Sequence, residues 1–157
     1  MLTAKEMEHL ERAVELAEIG LNQGDEPFGS VLVTESGERV FEDHNRVSGG
    51  DHTQHPEFAI ARWAANNLSP EEREKATVYT SGEHCPMCSA AHAWVGLGRI
   101  VYASSSAQLV EWTQEMGLPP SPVKNLAIQE VIRDADVVGP IDELAEKVKQ
   151  LHIQKNK

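Results

Sequence analysis

The chain has 157 residues, 40% hydrophobic and 25% charged, which is enough for one substantial core and too apolar for a disordered segment. Its formal charge of −11, from 14 basic against 25 acidic residues, disfavours a nucleic-acid partner, because such binders carry a basic face that replaces phosphate counterions. No apolar run is long enough to span a membrane and the acidic start is unlike a signal peptide, so no membrane contact and a cytoplasmic location are expected.

Residues 3–21 read as a helix, with Leu10, Val14, Ala17 and Leu21 recurring on one face and glutamates on the other. Gly24 and Pro27 end the connection, and residues 28–34 form a short strand rich in apolar and β-branched side chains. The Ser36-Gly37 pair turns the chain into a second strand over residues 39–44. A polar loop with Gly49 and Gly50 leads to a helix over 56–67, where Pro56 suits a first turn that needs no backbone donor. The charged run 71–75 reads as a solvated face before a third strand over 76–80. After Ser81-Gly82, the run His84-Cys85-Pro86-Met87-Cys88 opens a small-residue helix that Gly96 and Gly98 stop. A fourth strand over 100–103, a helix over 107–116, breaks at Pro119, Pro120 and Pro122, a short strand at Val137-Val138 and a helix over 141–151 complete the chain. The expected fold is α/β: a three-layer α/β/α sandwich with a mixed, about five-stranded sheet, residues 1–157 forming one domain.

Two short motifs carry chemistry. His55-Pro56-Glu57 stands where a loop enters a helix, and alone it is an ordinary surface helix start. Cys85 and Cys88, the only cysteines, bracket a strand-turn-helix junction, where helix N-terminal amides favour thiolate. That pair reads as half a zinc site, as a thioredoxin-like redox dithiol, or as two small buried hydrophobes. Taken together, His55, Cys85 and Cys88 supply three ligands for one Zn2+ per chain and leave a fourth position open, the arrangement of a catalytic metal. Glu57 is then free to carry protons, and the whole follows the H-x-E and C-x-x-C signature of zinc deaminases.

Six blocks in order extend this signature: Pro27-Phe28-Gly29-Ser30-Val31-Leu32-Val33, Asn45-Arg46-Val47, His55-Pro56-Glu57, Tyr79-Thr80-Ser81, Cys85-Pro86-Met87-Cys88-Ser89-Ala90-Ala91 and Gly98-Arg99-Ile100-Val101-Tyr102. On these blocks the chain resembles the cytidine deaminase-like superfamily, in its guanine deaminase and tRNA-adenosine deaminase branch, from about residue 5 to residue 105. The resemblance implies a hydrolytic deaminase with His55, Cys85 and Cys88 as zinc ligands and Glu57 as catalytic acid and base. It places Asn45 where the family holds the substrate base and Phe28 at the pocket rim, although Asn45 also suits a turn and Phe28 plain core packing. It implies a small amino-substituted heterocycle as substrate, guanine or a related purine first, with cytosine-like, pterin or triazine amines as alternatives, and a homodimer. A non-catalytic zinc module is the reading from another class.

Two departures stand out: Pro56 where the family has alanine, and His84 where it has proline. His84 is a candidate pocket wall, an incidental loop residue, or a fourth ligand that would close the metal site. His92 is expected to serve the core, and Trp94 and Trp112 the core or a dimer interface. Glu111 and Glu115 fall in the region that covers the site in guanine deaminase-like enzymes, with solvated helix positions as the default. Residues 105–135 are the expected source of specificity.

Overall fold

A computed structural model describes residues 1–157. In chain order the elements are α1 (Ala4–Asn22), β1 (Gly29–Val33), β2 (Arg39–His44), α2 (Pro56–Asn67), α3 (Pro70–Lys75), β3 (Thr77–Gly82), α4 (Pro86–Trp94), β4 (Ile100–Ser104), α5 (Ser106–Glu115), α6 (Ile128–Val131), β5 (Val137–Val138) and α7 (Asp142–Lys155), with a short 3-10 turn at Val47–Gly49. Helix α1 begins with a capping box: the Thr3 hydroxyl accepts from the Glu6 amide and the Glu6 carboxylate accepts from the Thr3 amide. The β1–β2 hairpin turns through Gly37, whose φ of 91° is free of strain only for glycine. Helix α3 converts the charged run 71–75 into a helical turn, capped by Ser69 and Glu72 and exposed as the charge predicts except at the half-buried Arg73.

The five strands lie in the order β2-β1-β3-β4-β5. Strand β1 runs antiparallel to both neighbours, while β3, β4 and β5 are parallel, so the sheet is mixed as expected. Strands β1 and β4 are buried along their whole length, which requires cover on both faces. One face presents Val31, Val33, Tyr79, Val101 and Ala103 to Leu10, Val14 and Ala17 of α1, Trp112 of α5 and Leu144, Val148 and Leu151 of α7. The other presents Leu32 and Val78 to Ile60 and Ala64 of α2, and Ile100 and Tyr102 to Ile128 of α6. Period-2 alternation therefore sends neighbouring strand residues to different helical layers, the three-layer sandwich read from the sequence.

Strand β1 passes so close to α1 that a Cβ on Gly29 would overlap the Ala13 carbonyl and lie 2.6 Å from the Ala17 nitrogen. Only glycine fits there, and it carries Ser30 to the edge where β1 and β3 meet α2 and α4. Strand β3 continues two residues past its expected end, to Gly82, and delivers the chain to Cys85.

Candidate active site

Helices α2 and α4 both start at the same edge of the sheet. His55 is the residue that caps α2 and Cys85 the one that caps α4. The cap of α4 is made by the metal-binding atom itself: Cys85 Sγ accepts from the Cys88 amide at 3.5 Å. Nδ1 of His55 lies 3.5 Å from Cys85 Sγ and 3.6 Å from Cys88 Sγ. The three donor atoms all lie within 4.8 Å of one another. Nitrogen and sulfur ligands at about 2.0 and 2.3 Å from zinc stand roughly 3.6 Å apart, the spacing that His55 keeps from both sulfurs, so this set is placed for a single ion.

The electrostatics suit a cation. The Cys88 thiol, with help from His55, holds the Cys85 thiol down at about 4. Cys88 is pushed up by Cys85 and by burial, and metal binding would have to displace its proton. The hydrogen bond to Cys85 raises the His55 imidazole against the effect of its burial. Both cysteines are free thiols. A redox dithiol has no need of the imidazole between them.

Glu57 sits one helical step inside α2, 6% exposed. Its Oε1 lies 2.9 Å from the Ser30 hydroxyl and 2.9 Å from the Thr80 hydroxyl, and these hydroxyls are 2.7 Å from each other. Ser30 and Thr80 are cross-strand partners in the β1–β3 register, so the sheet itself supports the carboxyl group. Burial raises the Glu57 carboxyl, and the two hydroxyls and His55 pull it back. A carboxyl placed this way can take a proton and give it up. Polar residues at alternate positions in otherwise apolar strands, Ser30 beside Leu32 and Thr80 beside Val78, are the sequence signal for this support.

Asn45 is 2% exposed. Its Oδ1 accepts from the amides of Glu26 and Val47, and its own amide donates to the Phe28 carbonyl. Two backbone donors on one side fix the side chain's orientation and leave Nδ2 without a protein partner. Phe28 is half-buried, edge-on to His152 of α7 with ring centroids 5.1 Å apart. His84 stands outside the metal group: it is 1% exposed and packs edge-to-face on His92 at 5.3 Å, so it does not close the fourth position. His92 donates from Nε2 to the Gly98 carbonyl at 2.7 Å and holds the turn after α4. Trp112 is core, whereas Trp94 is 88% exposed. Glu111 is exposed and Glu115 pairs with Lys149 at 3.8 Å, the solvated default. Glu83 was not singled out by its sequence context, yet its carboxylate accepts from two distant backbone amides, of Ser106 and Ile128.

A cleft of about 890 Å³ lies at the opposite edge of the sheet, among Thr77, Trp94, Arg99, Ile100, Arg133 and Val137. It contains none of His55, Glu57, Cys85, Cys88, Asn45 and Phe28, and it sits at the amino ends of the parallel strands, where α/β ligands seldom bind.

One imidazole and two thiols spaced for a single zinc ion are the metal set of the zinc-dependent hydrolytic deaminases. Residues 3–104 match the family described as the cytidine and deoxycytidylate deaminase zinc-binding region, and the chain belongs to that family. It is similar to the probable cytosine deaminase of Schizosaccharomyces pombe, 33% identical over 141 residues that cover 88% of this chain and 86% of that one. It is 36% identical to the guanine deaminase of Bacillus subtilis over 104 residues, covering 65% of this chain and 66% of that one. The solved structure of guanine deaminase from Nitrosomonas europaea superposes with a TM-score of 0.74 at 21% identity, over 99% of this chain and 86% of that one, a likeness of fold.

Proposed function

We propose that the protein, as a single deaminase domain, deaminates a free nucleobase or nucleoside that carries an amine beside a ring nitrogen and a carbonyl oxygen elsewhere on the ring, guanine first. His55, Cys85 and Cys88 hold the zinc, Glu57 moves the protons, Asn45 binds the base and Phe28 flanks it. The observation that carries this reading is the placement of Glu57, buried beside the three ligand atoms and hydrogen-bonded to Ser30 and Thr80.

Zinc, when bound, lowers the pKa of a water in the open position to about 7. Glu57 would take a proton from the attacking water as the oxygen adds to the amine-bearing carbon, and would pass the proton to the adjacent ring nitrogen. It then takes the second proton of the adding oxygen and gives it to the amine, which leaves as ammonia while the carbon becomes a carbonyl. Atoms balance as one water consumed and one ammonia released. The free Nδ2 of Asn45 is a donor, which suits the carbonyl oxygen of guanine or cytosine. The net charge of −11 argues against a tRNA substrate.

A second reading, cytosine, is favoured by the extent of the similarity to the Schizosaccharomyces pombe protein. Trp94, exposed on α4, supports a homodimer formed through that helix.

The test is ammonia release by zinc-loaded protein from guanine, guanosine, cytosine, adenine, a pterin and a triazine, with Glu57→Ala and Glu57→Gln alongside. Release from guanine, reduced about 10²–10⁴-fold in both variants while zinc stays at one per chain, is expected. Near-normal turnover in Glu57→Gln would refute its role, and release from cytosine alone would select the second reading.

A further inference from the structure

We propose that Glu83 is a positioning residue: its carboxylate fixes both ends of residues 106–128 to the catalytic edge of the sheet, and the seating of that segment sets substrate affinity. The effect on affinity rests on the deaminase reading above; the seating does not.

Glu83 lies between the last residue of β3 and the first metal-binding thiol. Its Oε1 accepts from the amide of Ser106, the first residue of α5, at 2.8 Å. Its Oε2 accepts from the amide of Ile128, the first residue of α6, at 2.9 Å. The chain therefore departs from and returns to a single carboxylate. Neither helix uses Glu83 as its local cap, because the Ser105 hydroxyl accepts from the Gln108 amide and the Glu130 carboxylate accepts from the Ala127 amide. The two bonds are long-range ties, and bonds to a charged acceptor are roughly twice as strong as neutral ones. Their anchor is stiff: the Glu83 amide donates to the Ser104 carbonyl, and the Ser104 hydroxyl donates to the Ser81 carbonyl across the β3–β4 pair.

The excursion that the carboxylate closes reaches back to the site. Trp112 of α5 lies 6.0 Å from His152, His152 lies 5.1 Å from Phe28, and the Phe28 ring stands 3.3 Å from where a Cβ on Gly82 would be. A run of aromatic contacts thus joins α5 to the residue next to Glu83. Beyond α5, residues 119–125 are exposed and include Pro119, Pro120 and Pro122, so little else holds them in one place. Ordering such a stretch has an entropic cost that fixed ends reduce.

The test compares zinc-loaded wild type with Glu83→Gln, which turns an amide donor toward a backbone donor, and with Ser106→Pro. The proline deletes one tied amide at a first-turn position that tolerates it and leaves Glu83 in place. Ser106→Ala keeps the amide and serves as the conservative control. For the base that yields ammonia, KM should rise about tenfold with kcat within about twofold in both clamp variants, the effect of losing one such hydrogen bond. Amide hydrogen exchange across 107–127 should quicken by about tenfold while β1 and β3 keep their protection. Zinc should stay at one per chain, and Ser106→Ala should match wild type. Unchanged KM and exchange in both variants would overturn the proposal, as would loss of zinc in Ser106→Pro, which would mean that the carboxylate acts through Cys85. No ammonia from wild type with any base refutes the deaminase reading instead, and the exchange result then decides the clamp by itself.

Discussion

Thr80, in the middle of the sheet, and Glu57, on the first turn of α2, meet through a hydroxyl–carboxylate contact of 2.9 Å that no water needs to bridge. Burial raises the Glu57 carboxyl, and the hydrogen bonds from Ser30 and Thr80 oppose it by favouring the charged form. Removing the Thr80 hydroxyl in Thr80→Val should raise that pKa further. The acid limb of the kcat/KM profile should then move to higher pH, with kcat at neutral pH lower by about tenfold. Ser30→Ala should act in the same direction, and the double variant should fall short of the sum because both hydroxyls serve one oxygen. An acid limb that stays put in Thr80→Val would remove the hydroxyls from the mechanism.

The donor set of one imidazole and two thiolates favours zinc over hard cations. Dialysis against a chelator should abolish ammonia release, and zinc should restore it where magnesium or calcium does not. Cys88→Ser should lower zinc affinity and activity together, because the metal then loses one of three ligands. Activity that survives complete metal removal, followed by atomic absorption, would contradict the assignment.

Two buried histidines outside the metal group make stability depend on pH. Burial lowers His92 and His152 to about 4 in the folded protein. In the unfolded chain they titrate near 6.5, so between those values the unfolded state binds the extra proton. Their contribution is therefore intact above about pH 6.5 and is lost as pH falls toward 4, at about 2 kcal/mol per histidine by pH 5. Urea denaturation at pH 7 and pH 5 should show this loss, and His152→Leu should lessen it by roughly one histidine's share. An unaltered pH dependence in His152→Leu would mean that His152 is charged in the fold.

Much of this was legible before any coordinates. Strand β2 and helix α2 fall where Ser36-Gly37 and Pro56 place them, because turn chemistry and proline leave few alternatives. Helix α3 has no apolar period, only the Ser69–Glu72 cap, and so the sequence marks it as a solvated face and not as a helix. Helix α6 is one turn held by long-range contacts. The metal ligands were legible because zinc dictates both residue type and local spacing. The supports of Glu57 were not, since Ser30 and Thr80 are fifty positions apart and meet only through strand register. Glu83 was hidden for the same reason: its partners are set by tertiary structure and belong to backbone amides, which no side-chain pattern reveals.

His55 and Cys85, the caps of α2 and α4, are separated along the chain by all of α2, α3 and β3. An ion bound to both closes that stretch of chain into a ring. A cross-link over a loop of this size removes on the order of 3–4 kcal/mol of disorder from the unfolded chain, if it acts as a covalent one does. For a domain of ordinary marginal stability that is a large share. Zinc supply during synthesis would then govern how much of the chain survives proteolysis.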